Sequence, residues 1–439
     1  MDLPERFTEE LARLGVRNRR VLVAVSGGPD SVALLDLLSR VSAALHLDIV
    51  VGHADHGIHP MSGAVAATVC ALAASYGWPF ALGELQLGAG ASETDAREAR
   101  YRWLEAAAEL HAAGAILTAH HADDQAETVL MRVLRGSGPA GLAGMAPRHG
   151  RVVRPLLPFR REELARYVHE RKLSAWTDPA NADPAHLRSW LRTDILPELA
   201  GRIPELVPNL LRTARLAAGE RMAWDTVLDL LPGLEIACES GAISVAAGPL
   251  AGYDSGLAEV LIRALARRVG CSLGPARALR LVDLARAGRS GTTAPLGGEW
   301  SGELTFGRLR IYRHQESPAA TIVSGNEGAL AWGGWTVRWS LERAPARQDR
   351  SGLSAWFPPQ TFTLRAARAG ERIRPLGGNG NRLLVRCLQD ARVPRGRRQT
   401  WPVLEAQGGG VVWLPGVCRA DALVPQEGAE ALRVDATDR

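Results

Sequence analysis

The sequence is poor in lysine, in paired cysteines and in long hydrophobic runs. Lys172 is the only lysine, so arginine supplies the rest of the 52 basic residues. The five cysteines are widely spaced and none forms a C-x-x-C pair, which argues against a zinc ribbon and an iron–sulfur ligand set. No apolar run reaches the roughly 18 residues of a membrane span, and residues 1–20 lack the apolar stretch of a signal peptide. We therefore expect a cytoplasmic protein with reduced thiols and no membrane partner.

The positive charge is concentrated in one segment of the chain. Residues 361–400 carry a net charge of +8, whereas the whole chain of 439 residues carries +5, so the remainder is acidic. Clustered positive charge is how proteins bind phosphate backbones, although a solvated surface is the simpler alternative. We expect this segment to contact nucleic acid. Its arginines are Arg365, Arg368, Arg372, Arg374, Arg382, Arg386, Arg392, Arg395, Arg397 and Arg398.

The first 180 residues alternate between strand-like and helix-like patterns. Short β-branched or alternating runs at 21–25, 48–52, 80–87 and 115–119 predict strands, and helical periodicity at 64–76, 94–112 and 124–134 predicts the helices between and after them. Such alternation is typical of an α/β fold with a Rossmann-like parallel sheet covered by helices on both faces. Ligands of these sheets bind beyond the carboxyl ends of the strands.

The length and the changes in composition predict several domains. We expect an α/β catalytic domain over 1–200 and a mostly helical domain over 201–315. A linker and hairpin region over 316–355 and a small, basic, mixed α/β domain over 356–439 would complete the chain.

Six residues join the first predicted strand to a helix, and they are Ser26, Gly27, Gly28, Pro29, Asp30 and Ser31. Glycines allow the backbone to approach a ligand closely, and the N–H groups at a helix N-terminus bind anionic oxygens, so this turn predicts a pyrophosphate site of ATP. The lysine of a Walker-type loop is missing, which argues against transfer of the γ-phosphate. Asp30 next to a polyphosphate predicts Mg²⁺, with a helix N-cap as the structural alternative.

A second polar segment, residues 118–128, leaves the strand at 115–119. Asp124 and Glu127 have the spacing of a helix-capping pair, but capping does not require His120, His121 and Asp123 as well. Carboxylates beside imidazoles suit Mg²⁺ binding and proton transfer; zinc is an alternative that the excess of oxygen ligands disfavours. His53 follows the second strand and is placed to line the same crevice, or else is an ordinary loop residue.

Taken in order, these segments closely resemble the tRNA(Ile)-lysidine synthase family of PP-loop ATP-pyrophosphatases. The pattern runs S-G-G-P-D-S at 26–31, H-A-D-H-G at 53–57, E-x-x-A-R-x-x-R-Y at 93–101 and T-A-H-H-A-D-D-Q-A-E-T at 118–128. The last block continues through R-G-S-G at 135–138 to G-L-A-G-M at 141–145, and further matches lie at 154–157, 176–181, 370–375 and 397–404. The resemblance thus covers most of the first 200 residues and the last 80. Two departures are Ile58-His59, where the family usually has Leu-Arg, and Ser189, where it tends to have Asn.

The resemblance implies the reaction and its participants. ATP would adenylate the wobble cytidine of an isoleucine tRNA with a CAU anticodon, and free L-lysine would then displace AMP, changing codon reading from AUG to AUA. The implied cofactors are ATP and Mg²⁺. The implied catalytic residues are Asp30, Asp124, Glu127 and Arg97, with Asp30 and Asp124 as metal ligands, and the nucleotide-binding residues are those of the 26–31 turn together with His53 and His120. Arg372, Arg374, Arg395, Arg397 and Arg398 would bind the tRNA, with contacts from the helical domain.

Two other functions fit parts of the pattern. Another PP-loop tRNA-modifying enzyme, such as a thiolase, would share the 26–31 turn, but a cluster-dependent thiolase needs the paired cysteines that this chain lacks. A non-catalytic RNA-binding protein would not need two carboxylate-rich motifs at one sheet edge. The sequence leaves the oligomeric state open, with a homodimer among the options.

Overall fold

A computed structural model describes residues 2–57, 61–88, 92–176, 187–239, 241–349 and 351–438. Ile58 and His59, where the sequence departs from the family pattern, and residues 177–181, where it matches, lie outside this part of the chain. Within it, no helix is both long and apolar enough to cross a membrane. The chain divides into two compact units, Met1–Met222 and Ala223–Arg439.

The first unit is built on a sheet of six strands in the order β3-β2-β1-β4-β6-β5, parallel except for the edge strand β5. Residues of β1 point alternately to the two faces. Val21 and Val23 join one buried core, while Leu22 joins the core on the opposite face. Helices cover both faces, so the predicted Rossmann-like α/β architecture is confirmed. The strands are β1 Arg19–Ala24, β2 Leu47–Asp55, β3 Phe80–Glu84, β4 Ala115–Leu117, β5 Arg148–His149 and β6 Val152–Val153.

The helices that begin in this unit precede, connect or follow the strands along the chain, and the last of them ends after Met222. They are α1 Leu3–Arg13, α2 Pro29–Val41, α3 Ser62–Ser75, α4 Glu93–Leu110, α5 Ala122–Leu134, α6 Pro139–Leu142, α7 Arg161–Glu170, α8 Leu187–Trp190, a π-helical stretch Leu191–Ile195, α9 Leu196–Arg202 and α10 Leu206–Asp229. Strand β1 is followed by β2 on one side, whereas β4 lies on its other side. The chain therefore reverses its direction of winding between β1 and β4, and crevices at such points are where ligands bind.

The second unit begins with helices packed on a sheet of five antiparallel strands, ordered β7-β8-β11-β10-β9. The strands are β7 Ala237–Glu239, β8 Ala242–Ala246, β9 Thr292–Gly297, β10 Trp300–Thr305 and β11 Arg308–Arg313, and the helices are α11 Ala247–Gly252, α12 Ser255–Arg268 and α13 Pro275–Ala287. Helices are thus present as expected over 201–315, but the sheet was not anticipated. Two of its central strands, β10 and β11, have almost entirely buried residues and lack the alternation of a half-exposed strand.

The remaining strands form two larger sheets and a short ribbon around a shared core. One sheet has the order β12-β16-β19-β20-β21, the second β13-β14-β22-β15, and β17 pairs with β18. The strands are β12 Thr321–Val323, β13 Glu327–Trp332, β14 Trp335–Arg343, β15 Ser354–Phe357, β16 Phe362–Ala366, β17 Arg372–Ile373, β18 Arg382–Leu383, β19 Pro402–Ala406, β20 Val411–Leu414, β21 Cys418–Arg419 and β22 Glu430–Asp438; the helices are α14 Leu384–Asp390 and α15 Arg395–Arg398.

This arrangement corrects the expected linker over 316–355. The hairpin of β13 and β14 is present, but β14 pairs along its whole length with the C-terminal strand β22, and β12 pairs with β16. Trp332 and Trp335 from the hairpin are buried in the same core as Trp401 and Trp413. Residues 321–343 therefore belong to the C-terminal fold, because their strands are completed by partners up to about a hundred residues away.

Candidate active site

The 26–31 turn lies at the carboxyl end of β1 and leads into α2. Gly27 has a φ of +87°, and a β-carbon there would come within 2.8 Å of a methyl group of Val65, so only glycine fits. Gly28 is the N-cap of α2, which places Asp30 in the first turn rather than at the cap. The Ser31 hydroxyl donates to the carbonyl of Gly28 and accepts from Ser26. Pro29 has no N–H group, and a helix leaves the N–H groups of its first turn without partners inside the helix, so those of Asp30 and Ser31 can bind an anion.

The 118–128 segment lies at the carboxyl end of the adjacent strand β4, where His121 is the N-cap of α5. Its Nδ1 accepts hydrogen bonds from the backbone N–H groups of Asp123 and Asp124, at 3.2 and 3.4 Å. The Asp124 carboxylate in turn accepts from the backbone N–H of His121 at 3.1 Å. A capping pair is therefore present at the start of α5, but it consists of His121 and Asp124, and the expected pair of Asp124 and Glu127 was wrong.

Asp30 and Asp124 meet at the side chain of His121. The Nε2 atom of this fully buried imidazole lies 3.5 Å from an oxygen of Asp30 and 3.5 Å from an oxygen of Asp124. The two predicted ligands therefore converge from the carboxyl ends of two adjacent parallel strands, β1 and β4. Burial alone would raise the pKa of Asp124, but the neighbouring His121 and Arg188 outweigh it and the pKa lies below its ordinary value.

Two arginines that the sequence reasoning did not select complete the carboxylate cluster. Arg188 bonds to Glu127 at 2.9 Å and to Asp124 at 3.0 Å. Arg192, one helical turn later, bonds to both oxygens of Glu127 at 2.6 and 2.8 Å and to Asp124 at 3.1 Å. Glu127 is 1 % exposed and both its oxygens accept from guanidinium groups.

Other polar residues of the 118–128 segment serve the fold. Asp123 accepts a double hydrogen bond from Arg160 and another from the backbone N–H of Arg161. Gln125 bonds to the backbone of Met145 in both directions, at 2.7 and 3.1 Å. The glycine-rich continuation at 135–145 is therefore held against α5 by side chains of the segment that precedes it.

His53, His120 and Arg97 lie around the same edge with different surroundings. His53 is buried and its Nδ1 donates to the carbonyl of Val25 at 2.8 Å, which ties β2 to the end of β1. Burial lowers the pKa of His120 to about 3, and the positive charges of Arg154 and Arg97 add to this effect while Asp124 opposes it. Arg97 is half-buried on α4 with its guanidinium 5.1 Å from the centre of the Tyr101 ring. His120 is thus a neutral imidazole near neutral pH.

The hard oxygen ligands of the site fit a magnesium ion better than zinc. Asp30 is 32 % exposed at its side chain, and one of its oxygens and one of Asp124 lie 3.5 Å from the same atom, Nε2 of His121. No group of three or more acidic, histidine or cysteine side chains arranged for a metal is found in the described parts of the chain. Two carboxylates with room for water and phosphate oxygens are the usual protein share of a Mg²⁺ site, so the residues present fit this ion.

The predicted tRNA-binding arginines in the second unit differ in exposure and in partners. Arg372 is exposed, Arg374 is exposed with Asp421 at 3.5 Å, and Arg395 is exposed with a long contact to the carbonyl of Gly291. Arg397 is held by both oxygens of Asp438 at 2.6 and 2.7 Å, and Arg398 donates to the carbonyl of Val393 at 2.9 Å. Among the other arginines of the segment, Arg365 is buried between Glu371 and Glu405.

Helix α15, which carries three of these arginines, is fixed to the antiparallel sheet of 237–313. The backbone N–H of Gly396 donates to the carboxylate of Glu303 at 3.1 Å, and Glu303 is fully buried beside Arg310. A β-carbon at Gly396 would lie 2.5 Å from the ring of Tyr312. The sheet that sequence reasoning missed therefore determines where the arginines of α15 are presented.

Comparison with known proteins gives matches over nearly the whole chain. Residues 3–199 match the model of the PP-loop domain, and residues 362–436 match that of the TilS substrate C-terminal domain. A tRNA(Ile)-lysidine synthase of Symbiobacterium thermophilum is 35% identical, with 99% of this chain and 98% of the relative covered. Those of Alkalilimnicola ehrlichii and Thermobifida fusca are 35% and 37% identical, covering 91% and 70% of this chain and 90% and 92% of the relatives.

Proposed function

This chain belongs to the tRNA(Ile)-lysidine synthase family, and from that premise we propose which of its residues bind ATP, Mg²⁺ and tRNA and which accepts the proton of the lysine amine. It is an ATP-using, tRNA-modifying ligase of the PP-loop type, and the thiolase and non-catalytic alternatives are not favoured. The substrate we assign is an isoleucine tRNA with a CAU anticodon, whose wobble cytidine becomes lysidine. We place this reaction in the cytoplasm, where ATP, free lysine and tRNA occur together.

One observation carries the proposal: Asp30 from the phosphate turn and Asp124 from the neighbouring strand end converge on one buried point. The turn at 26–31 would bind the β- and γ-phosphates through the N–H groups at the start of α2, so that pyrophosphate is held as it leaves. The cytidine oxygen would approach the α-phosphate from the side of Asp124. Asp30 and Asp124 would hold a Mg²⁺ ion, which when bound offsets the charge of the phosphates.

The second step requires an uncharged lysine amine and a group that takes its proton. We assign that group to Asp124, because guanidinium groups donate to only one of its oxygens while the other accepts from a backbone N–H, whereas both oxygens of Glu127 accept from guanidinium groups. Glu127 then serves to hold Arg188 and Arg192 at the site. His120, neutral and half-buried, and Arg97 would line the pocket on the α4 side.

The arginines of the C-terminal segment would position the tRNA through its phosphates. Arg372, Arg374 and Arg395 are exposed and suited to this role. Arg397 and Arg398 are engaged with Asp438 and with a backbone carbonyl, so their contribution depends on exchanging those partners. Phosphate contacts of this type fix the orientation of a nucleic acid without reading its sequence.

The test is incorporation of labelled lysine into a transcript of isoleucine tRNA with a CAU anticodon, in the presence of ATP and Mg²⁺. We expect the wild-type protein to incorporate lysine and Asp30→Ala to lose adenylation while binding tRNA with nearly unchanged affinity. Asp194→Ala, which removes an exposed carboxylate from the same unit, is the matched control and should remain active. A folded wild-type protein that incorporates no lysine, beside an active relative, would refute the assignment.

A further inference from the structure

The side chain of His121 is buried, and backbone N–H groups determine that its Nδ1 atom is a hydrogen-bond acceptor. Nδ1 lies in line with the N–H groups of Asp123 and Asp124, and both of these groups can only donate. Nδ1 must therefore offer its lone pair, and the proton of the imidazole is carried by Nε2. This argument uses hydrogen-bond geometry alone and fixes which tautomer the helix start requires.

The Nε2–H group is enclosed and lacks a hydrogen-bond partner in the described part of the protein. The charged groups around the ring are Asp30 from α2 and Asp123 and Asp124 from α5, and the first and last of these face Nε2 at 3.5 Å each. A buried donor without a partner is costly, and the two nearest acceptors are the carboxylates of the site. A small movement of either carboxylate would complete a hydrogen bond.

We propose that His121 is a positioning residue, whose Nε2–H holds the Asp30 and Asp124 carboxylates towards each other for the adenylation step. The inference rests on the proposed function, because that function assigns the two carboxylates to holding Mg²⁺ for adenylation. It also excludes His121 as a metal ligand, because a nitrogen that carries a proton has no lone pair for a metal. The histidine thus links the start of α5 to the phosphate turn through one rigid ring.

The first test separates the cap from the Nε2–H group. Asparagine is a good N-cap whose Oδ1 takes the place of Nδ1, so His121→Asn should keep the acceptor for α5; its shorter side chain has no atom at the position of Nε2 and loses the donor there. We expect its Tm to stay within about 2 °C of the wild type, whereas His121→Ala should lower Tm by about 2–8 °C. Adenylation by His121→Asn, measured as tRNA-dependent exchange of labelled pyrophosphate into ATP, should fall about ten- to a hundredfold. The Mg²⁺ concentration for half-maximal rate should rise. Wild-type exchange by a folded His121→Asn protein would overturn the inference.

The second test asks whether His121 acts through Asp30. In a double-mutant cycle of kcat/KM for adenylation, Asp30→Asn combined with His121→Asn should be no more than about twofold slower than Asp30→Asn alone. Full addition of the two losses would mean that His121 acts elsewhere, and would overturn this inference while leaving the proposed function in place. Wild-type adenylation by Asp30→Asn would instead contradict the proposed function, and the inference with it.

Discussion

Arg192 offers the clearest test of the carboxylate cluster, because its removal leaves a buried charge with half of its partners. We consider Arg192→Met, which keeps the length of the side chain and removes the guanidinium group. Glu127 is 1 % exposed and the Arg192 side chain 26 %. The substitution removes two hydrogen bonds to Glu127 and one to Asp124.

The expected loss follows from what remains at the site. Removing one partner of a buried ion pair costs about 3–5 kcal/mol when the other charge is left alone. Here Arg188 stays within 2.9 Å of Glu127 and 3.0 Å of Asp124, so we expect roughly half of that cost, about 2 kcal/mol. For a unit of this size, about 2 kcal/mol corresponds to a Tm lower by about 4–8 °C.

The assay is thermal and urea unfolding of the full chain at pH 7. The wild type, Arg192→Met, Glu127→Gln and the variant with both substitutions together form a double-mutant cycle. The double variant should be more stable than the sum of the single losses predicts, because neither charge is then left unpaired. Arg202→Met is the control, since Arg202 is 80 % exposed and lies 3.9 Å from Glu198, and it should change stability by less than about 0.5 kcal/mol. An Arg192→Met protein as stable as this control would show that the cluster does not hold Glu127 in solution.

Two further predictions concern stability and tRNA binding. Burial would raise the pKa of Asp36, but hydrogen bonds, the one from the Tyr167 hydroxyl at 2.5 Å foremost, lower it below its ordinary value. Ionised Asp36 therefore stabilises the fold above the unfolded pKa of about 3.9 and loses this effect as the pH falls through the lower folded pKa. Tyr167→Phe should cost about 1.5–3 kcal/mol in unfolding experiments at pH 7, and its difference from the wild type should shrink at pH 3; an equal difference at both values would contradict this. Gly396→Ala should weaken tRNA binding in filter assays, because the added methyl group meets Tyr312 and displaces α15, whereas Gly408→Ala, which meets nothing within 4 Å, should bind normally.

The parts of the fold that the sequence predicts are those with local signals. Strand β1 is buried on both faces, so Val21, Leu22 and Val23 form a continuous apolar run, and the glycines of the turn follow directly. The prediction that both polar motifs lie at the carboxyl edge of a parallel sheet is confirmed by the pairing of β1 with β2 and β4. The register of the strands, and the fact that β1 and β4 are neighbours in the sheet, could be found only from the structure.

The arginines of the cluster were missed because nothing local distinguishes them. Arg188 and Arg192 are 61 to 68 residues from the carboxylates they contact, and a chain with 52 basic residues contains many arginines at helical spacing. Likewise, the capping role expected of Asp124 belongs to His121, which is a rare cap. A histidine cap is recognised only from the geometry of its ring nitrogens.

The basic C-terminal segment shows why net charge by segment overstates the charge that a ligand meets. Counted along the chain, the segment has only Glu371 and Asp390 to offset its arginines. In the folded protein, three carboxylates from outside the segment form ion pairs with its arginines: Glu405 with Arg365, Asp421 with Arg374 and Asp438 with Arg397.

The arginines for which the described residues supply no carboxylate within 4.0 Å are Arg368, Arg372, Arg386, Arg392, Arg395 and Arg398. An arginine that is paired with a carboxylate contributes little net charge, and salt screens exposed charges. The electrostatic field that attracts a phosphate backbone therefore arises mainly from the exposed arginines that have no carboxylate within 4.0 Å. Of the five arginines first assigned to tRNA, only Arg372 and Arg395 are both exposed and in this group. Arg368, Arg386 and Arg392 are also exposed, and we propose them as further tRNA contacts.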